Sequence, residues 1–498
     1  MSPIDPRTPV LVGAGQISQR VDDGAPSLEP VDLMVEATRR AAADAGAPGL
    51  AAAPDSVRVM NLLSWQYRDP GALVAERLGA QPRHTAVTVM GGNYPQTVVN
   101  RAAVDLQAGR ADVVVVCGAE SWRSRSAARK DRDDLPWTVQ DEAVAPDEVV
   151  GHDDLELSHP NEVARGLFLP IQHYPMFDVA LRTSLGLTID EHRDRIAALW
   201  SRFSEVAEQN PDAWIHQRYS PQEIREPSAT NRMVGFPYTK LMNSNNQVEQ
   251  GASLILCTAA AADAAGVPRD RWVFPLAGAD AHDHWFVSHR ADLCSSPAIR
   301  LCGRDVLTST GSTIDDVAHI DLYSCFPSAV QISAAELGLA LDQQLTVTGG
   351  MSFAGGPWNN YVSHSIATMA RVLREDAGSL GMVTANGGFT TKHSIGLYST
   401  TPGTSPYRHH SPQAEVDALP ATTLVETVDG PATVESYTVV HGRDGRPETA
   451  FAACSVTSGA ESGRAWARSE DADLMASMVD EDWVGRQVTL TPTGTMNG

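Results

Sequence analysis

The sequence predicts an α/β fold built by duplication, interrupted by a long insertion and followed by a β-rich tail. Three observations carry this. "VTVMGG" at 87–92 recurs as "LTVTGG" at 345–350, each followed by an Asn-containing loop, a helix and a strand, "ADVVVVCGAES" in the first copy and "LGMVTANGGF" in the second. Between the copies, about 120–242 is rich in Arg, Asp, Trp, Tyr and Pro and lacks the apolar strand runs on either side. After the Pro- and Ser-rich "TTPGTSPYRHHSPQ", the stretch "ATVESYTVVHGRDGRPETAFAACSVTSG" alternates as antiparallel strands do.

The elements follow in order. "TPVLVGAGQI" reads as a buried strand; its Gly13-Ala14-Gly15 lacks a third glycine and no helix starts behind it, so it fails as a dinucleotide loop. "PVDLMVEATRRAAADAG" carries Leu33, Val35, Ala37 and Ala41 near helical spacing and stops at Gly46. Inside the insertion, "IDEHRDRIAALWSRFSEVAEQN" is a helical piece, and "NQVEQGASLILCTAAAADAAG" then returns to a strand and an alanine-rich helix. A second α/β unit runs from about 300 to 400. Helices on both faces of the two sheets give a layered architecture with a site between the halves, where helix N-termini offer unpaired N–H groups to developing negative charge.

Composition bounds the function. The chain has 498 residues, 42% hydrophobic and 20% charged, enough for about three structural units. A net charge of −23 argues against nucleic acid and anionic membranes. An anionic ligand then needs a local basic patch, and Arg218, Arg225, Arg232 and Lys240 are one candidate. The N-terminus resembles no secretory signal and no apolar run approaches the ~18 residues of a membrane span, so the expected location is cytoplasmic. The six cysteines are widely spaced, without C-x-x-C, and are expected to be reduced. Two His-rich strings, His152, Asp153, Asp154 and His159, and His282, Asp283, His284 and His289, have no recognised ligand spacing; no metal is expected.

At this point the motifs resemble the thiolase superfamily. "PVLVGAGQI" is similar to its opening strand, "ADVVVVCGAES" to the strand after its nucleophile helix, "NQVEQGASLIL" to the strand after its loop domain, and "GGPWNN" to its second catalytic corner, in order over roughly 7–400. The resemblance implies a duplicated five-layer αβαβα fold with an inserted loop domain that helps bind coenzyme A. The units expected are a first half at 1–120 and 243–275, a loop domain at 121–242, a second half at 276–405 and a small all-β domain at 415–498. The tail resembles the OB-fold domain of small proteins that associate with thiolase-like partners, among them aldolases that lack the cysteine and use tyrosine.

The resemblance also places the chemistry. The family's nucleophilic cysteine falls at Gly92, the histidine of its Gly-His-Pro at Gly356, and the acid/base cysteine of its Cys-x-Gly at Asn386. A fourth motif aligns with Tyr323-Ser324-Cys325-Phe326 and keeps only its Cys-Phe half. The catalytic candidates are therefore Tyr323, Cys325, His364, Asn386 and His393, with His364 about two turns beyond Gly356 and Asn386 a donor to a thioester oxygen. Lys240 and Asn246, in "PYTKLMNSNNQ", are candidates to meet the phosphopantetheine arm, and the Gly92 and Gly356 backbones to cradle the thioester. The implied role is an acyltransferase-type protein of acyl-CoA and lipid metabolism, with coenzyme A as ligand or substrate, no permanently bound cofactor, and conventional thiolase activity weak or absent. The alternatives are a retro-aldolase on a 3-hydroxyacyl-CoA, with Tyr323 taking the hydroxyl proton, and a non-catalytic acyl-CoA carrier. The family default is a homodimer formed through the first half; a fused tail that covers this surface would leave a monomer.

Overall fold

The computed structural model describes residues 4–20, 27–152, 156–458 and 461–498. Six strands form a first sheet in the order Pro9–Ser18, Glu249–Thr258, Val113–Ser121, Ser56–Val59, His84–Thr88, Glu148–Val150. A second sheet runs Val317–Asp321, Leu380–Gly387, Lys392–Ser399, Phe274–His282, Arg408–His410. The duplication is visible in the pairing. Pro9–Ser18 and Phe274–His282 open the halves, and each pairs antiparallel with the last strand of its half. That strand pairs antiparallel with Val113–Ser121 or Leu380–Gly387, which pairs parallel with Ser56–Val59 or Val317–Asp321.

Every residue of Val113–Ser121 and of Glu249–Thr258 is buried, which is why their sequences are continuous apolar runs rather than alternating ones. Helices cover both faces. Tyr94–Gln107 and Tyr361–Glu375 lie between the sheets and touch both; Pro30–Asp44 and Pro70–Leu78 cover the outside of the first, and Pro297–Thr310, with Pro327–Leu337 beside it, the outside of the second. The result is the five layers the resemblance implies.

One repeat element differs from expectation. "VTVM" belongs to the His84–Thr88 strand region, but its counterpart Leu345–Thr348 is not a ladder strand. It is held extended by Leu322 N donating to Leu345 O (2.9 Å) and by the buried Asp321 carboxylate. That carboxylate accepts from the amides of Val347 (2.9 Å) and Thr348 (3.1 Å) and the hydroxyls of Thr346 (2.9 Å) and Thr348 (3.1 Å). A side chain here does what a neighbouring strand does in the first copy.

The insertion supplies the helices Pro170–Ser184 and Ile189–Gln209, the latter capped by the Thr188/Glu191 pair, and the hairpin Met233–Gly235 with Tyr238–Thr239. Its strand Glu148–Val150 runs parallel to His84–Thr88 and covers the free edge of the first sheet. The basic patch expected at 218–240 is occupied internally: Arg218 pairs with Glu205, Arg225 with Asp190 and Asp194, and Arg232 donates to the carbonyls of Met233 and Gly442.

The tail is an antiparallel sheet of Gly430–His441, Pro447–Ser458, Glu461–Ser469, Gln487–Leu490 and Met496–Asn497 with the helix Ala472–Asp480. A bridge between Arg468 and Thr495 draws its edges together. It is less separate than its sequence suggests. Gly235 of the insertion hairpin pairs with Val440, Arg182 makes a two-pronged ion pair with Asp482 (2.8 and 2.6 Å), and Trp466 Nε1 donates to Ser288 Oγ (2.8 Å). Among the described residues no helix is long and apolar enough to cross a membrane.

Candidate active site

The site lies where the two corners face each other across the middle layer. Gly91-Gly92 follows the His84–Thr88 strand and precedes the helix Tyr94–Gln107. A side chain has no room at Gly92: a Cβ there would collide with the Tyr323 hydroxyl oxygen and would lie 2.8 Å from Tyr323 Cζ and 2.6 Å from the Asn386 carbonyl oxygen. Tyr323 thus fills the volume that a nucleophilic side chain on the helix would need, and the glycine is what admits it. The Gly91 amide donates to Asn359 Oδ1 (2.9 Å) from the second corner, so it is not free to cradle a ligand. The amides of Gly92 and Asn93 form no hydrogen bond with any described residue, and these are the N–H groups left for an oxyanion.

Tyr323 follows the strand Val317–Asp321, its amide donating to Thr384 Oγ1 (2.9 Å) and its ring edge-on to Tyr361 at 5.7 Å. Its hydroxyl forms no hydrogen bond among the described residues. Burial, with Cys325, Tyr174 and Tyr361 close by, pushes the phenol well above its ordinary pKa, so it is a proton donor.

Cys325 and Asn386 are brought together. Asn386 Nδ2 points at Cys325 Sγ (3.9 Å) and donates to the Tyr174 hydroxyl (3.0 Å), while Asn386 Oδ1 is buried without a partner among the described residues. Burial pushes the Cys325 thiol up to about 12, so it is a neutral thiol and not a ready nucleophile. Tyr174 comes from the insertion, stacks on Phe326 at 4.5 Å, donates to Gly388 O (2.9 Å) and accepts from the Thr390 amide (3.1 Å). It ties the inserted segment to the end of the strand Leu380–Gly387 and the turn after it.

The second corner is closed in the same manner as the first. A Cβ on Gly356 would collide with Ser244 Oγ and lie 3.1 Å from Asn246 Oδ1, and the Gly356 amide donates to Asn245 O (2.9 Å). The segment 244–246 therefore stands where an imidazole at position 356 would go. Lys240 is exposed on a short turn, where its amide donates to Arg232 O (2.9 Å) and its carbonyl accepts from the Asn243 amide (3.1 Å), away from either corner.

The two histidines are placed elsewhere. His364 Nδ1 bonds Gln16 Oε1 (2.7 Å) on the opening strand, and burial lowers its pKa to about 3. No bond joins it to Gly356, Ser244 or Asn246 among the described residues. His393 pairs with Asn386 across the two strands, and its ring sits between Asp283 Oδ2 (3.3 Å), Ser296 Oγ (3.2 Å) and Thr390 O (3.2 Å). Asp283 in turn accepts from the Ala298 amide (3.0 Å) at the start of an outer helix. Among the described residues no three His, Cys, Asp or Glu gather as a metal site. His159 caps the helix Pro160–Ala164, His282 bonds Asp283 O and His284 bonds Pro420 O, while Asp153 and Asp154 lie outside the described residues.

Sequence reasoning missed Tyr174, Ser244 and Lys392. Lys392 is buried, donates from Nζ to Met90 O (2.6 Å) and lies 4.9 Å from the centre of the Tyr94 ring. Burial lowers its pKa to about 8. The signal that was available is compositional: the chain has three lysines, Lys130, Lys240 and Lys392, among 38 basic residues.

A solved structure described as a monomeric SCP2-thiolase-like protein type 1 from Mycobacterium smegmatis is 31% identical over 99% of this chain and 100% of its own, with a TM-score of 0.84. The chain belongs to the type 1 thiolase-like proteins of the thiolase superfamily. The family model for the thiolase-like protein type 1 additional C-terminal domain matches residues 412–495, which covers the tail sheet up to its last strand. Two more distant structures share the fold. An Ltp2-ChsH2(DUF35) aldolase is 20% identical over 79% of this chain and 98% of its own, TM-score 0.58. An acetyl-CoA acetyltransferase from Syntrophomonas wolfei is 16% identical over 80% and 100%, TM-score 0.54. No curated protein matches. In this type 1 protein the two corners thus belong to a thiolase-like fold.

Proposed function

We propose that this type 1 thiolase-like protein binds a coenzyme A thioester between the two corners and acts on it, or carries it, without a covalent acyl-enzyme. The observation that carries the reading is the Tyr323 hydroxyl at Gly92. A thioester there meets a neutral phenol and the free amides of Gly92 and Asn93, which can donate to its oxygen, and no thiolate. The neutral Cys325 thiol and the Ser244 side chain at Gly356 offer neither an activated nucleophile nor its base. The role belongs to acyl-CoA and lipid metabolism in the cytoplasm, and supporting a monomer is the strand Glu148–Val150, which occupies the first-half edge.

The test is paired. Calorimetric titration with coenzyme A should show binding, and acetoacetyl-CoA with free coenzyme A should show no thiolysis above background. Thiolysis at an ordinary enzymatic rate would sink the reading.

Tyr323 favours one second reading, a C–C lyase on a 3-hydroxyacyl-CoA, in keeping with the aldolase that shares the fold. Because burial holds Tyr323 protonated, its phenolate is available as base only at alkaline pH. Aldehyde or ketone release that climbs with pH and disappears in Tyr323→Phe supports the lyase; coenzyme A binding with no release supports the carrier.

A further inference from the structure

Asn386 and Lys392 flank one hairpin turn. The strands Leu380–Gly387 and Lys392–Ser399 pair Asn386 with His393 and Gly387 with Lys392, and residues 388–391 turn between them. Thr390 in this turn has φ 54°, a left-handed conformation that is strained for a β-branched side chain. Such a residue persists only where its surroundings over-determine it. Here they do. Besides the two bonds to Tyr174, Phe389 stacks on His173 with ring centres 4.2 Å apart, the Thr391 carbonyl accepts from the Asp283 amide (2.9 Å), and Thr391 Oγ1 accepts from Arg290 Nη2 (2.8 Å).

Arg290 is a poor choice for stability alone. It is buried, its Nε has no partner, and it closes no ion pair among the described residues; Asp283 and Glu162 attract it only from beyond that range. A buried guanidinium without a paired carboxylate carries a desolvation penalty that an apolar side chain of similar volume avoids. What it does make is the bond to Thr391. The backbone from which it springs is set by the tail. Arg464 Nη1 donates to the carbonyls of Val287 (3.2 Å) and Arg290 (2.7 Å), Trp466 Nε1 to Ser288 Oγ (2.8 Å), and the Thr422 amide to His289 O (2.9 Å). Arg464 is itself fixed by a two-pronged pair with Glu435 (2.8 and 2.5 Å) within the tail sheet, and Trp466 lies edge-on to His173 at 6.2 Å. The tail thus grips both supports of the turn, the segment 287–290 and the ring under Phe389.

We infer that Arg290 is a positioning residue through which the tail sets the Asn386 hairpin. The tail sheet fixes the 287–290 turn, Arg290 carries that placement to Thr391, and the strained turn 388–391 holds Asn386 against Cys325. This rests on the thioester reading only for what the hairpin is placed to meet, a thioester oxygen within reach of Asn386 Nδ2. The fused tail is then a working part of the site and not an appended module. Stability given up at Arg290 and Thr390 is the signature of placement, because strain and buried charge survive at sites whose geometry matters more than their packing.

The test uses the intact chain and three variants. Arg290→Met keeps the volume and removes the donor, Arg290→Lys keeps a donor, and Trp466→Phe removes the bond to Ser288 while keeping a ring. Hydrogen exchange, read by mass spectrometry without ligand, follows the amides of Thr390 and Thr391, which bond Tyr174 Oη and Gly387 O, with residues 113–121 of the first sheet as internal control. The expected result for Arg290→Met is exchange at least tenfold faster in the turn, none faster in the control, and an unfolding midpoint no lower than wild type. Arg290→Lys should restore part of the protection. Trp466→Phe should speed exchange in the same turn, although its indole makes no hydrogen bond there. Unchanged exchange in the turn of Arg290→Met overturns the inference, as does an equal rise in the control, which marks general loosening, or a Trp466→Phe protein whose turn exchanges as wild type does. Calorimetry with coenzyme A keeps the two claims apart. Wild type that binds while Arg290→Met binds at least tenfold more weakly supports both; equal affinity in the two proteins overturns the positioning role, and a wild type that does not bind defeats the thioester reading and leaves the exchange result to decide the positioning.

Discussion

Gly92→Ala is the most direct probe of how the corner is filled. A methyl at this position would collide with the Tyr323 hydroxyl and sit 2.6 Å from the Asn386 carbonyl oxygen, where real Cβ contacts essentially never fall below 3.0 Å. Neither neighbour yields easily. Tyr323 is packed edge-on to Tyr361, and the Asn386 carbonyl belongs to a central strand. Overpacking of this kind costs about 1–3 kcal/mol, and the backbone contact puts Gly92→Ala toward the upper end, about 2–3 kcal/mol. At ~2 cal/mol/K of unfolding entropy per residue, a chain of 498 residues has roughly 1 kcal/mol/K, so the midpoint should fall by about 2–3 °C. The assay is thermal unfolding followed by circular dichroism, with Gly49→Ala as control because a Cβ there meets nothing within 4 Å. In the Tyr323→Phe background the collision with oxygen is gone while the ring carbon at 2.8 Å remains, so part of the penalty should be recovered. A Gly92→Ala protein that unfolds with wild type and Gly49→Ala would refute the placement of Tyr323, and with it the argument from the occupied nucleophile volume.

Other outcomes follow from the same geometry. His364 is depressed to about 3 and His173 likewise, both by burial, so each favours the neutral form in the folded state. Their contribution to stability is full above pH ~6.5 and is lost as pH falls toward the folded values, at about 1.4 kcal/mol per unit for each histidine. Unfolding midpoints measured at pH 7 and pH 5 should therefore fall less in His364→Gln than in wild type; an identical fall contradicts the buried neutral imidazole. Asp321→Ala removes the acceptor of two amides and several hydroxyls at the second corner and should cost about 3 kcal/mol or more, seen as a lower denaturant midpoint. Arg182→Ala breaks the two-pronged pair with Asp482 and leaves that carboxylate, held low through Arg182 despite partial burial, without its partner. The expected loss is about 1 kcal/mol, with early proteolysis between insertion and tail as the readout.

The fold was legible because its signals are local. Continuous apolar strands, a 3.6-residue period and glycine-ended helices mark elements wherever they lie, and repetition of "VTVMGG" as "LTVTGG" reveals the duplication without a contact. The second "LTVT" repeats the sequence of the first without its ladder, because its partner is the Asp321 side chain, which no periodicity reports. Candidate residues fared by the same rule. Tyr323 and Cys325 follow the strand Val317–Asp321 and Asn386 lies near the end of Leu380–Gly387, and the structure gathers them; His364, two turns along a helix, points to Gln16 instead. Tyr174 and Lys392 were invisible because they reach the site from an inserted helix and from the far strand of a hairpin.

The sequence by itself determined the layered architecture, the family and the glycines at positions 92 and 356, since these are statements about residue type and order. Only the tertiary structure decided what stands in their place. Tyr323 at Gly92, Ser244 at Gly356 and the Lys392 amine under Gly91 are meetings of residues more than a hundred positions apart. Such meetings are set by which sheet faces which helix, and side-chain volume in a close-packed interior is allotted there and not along the chain.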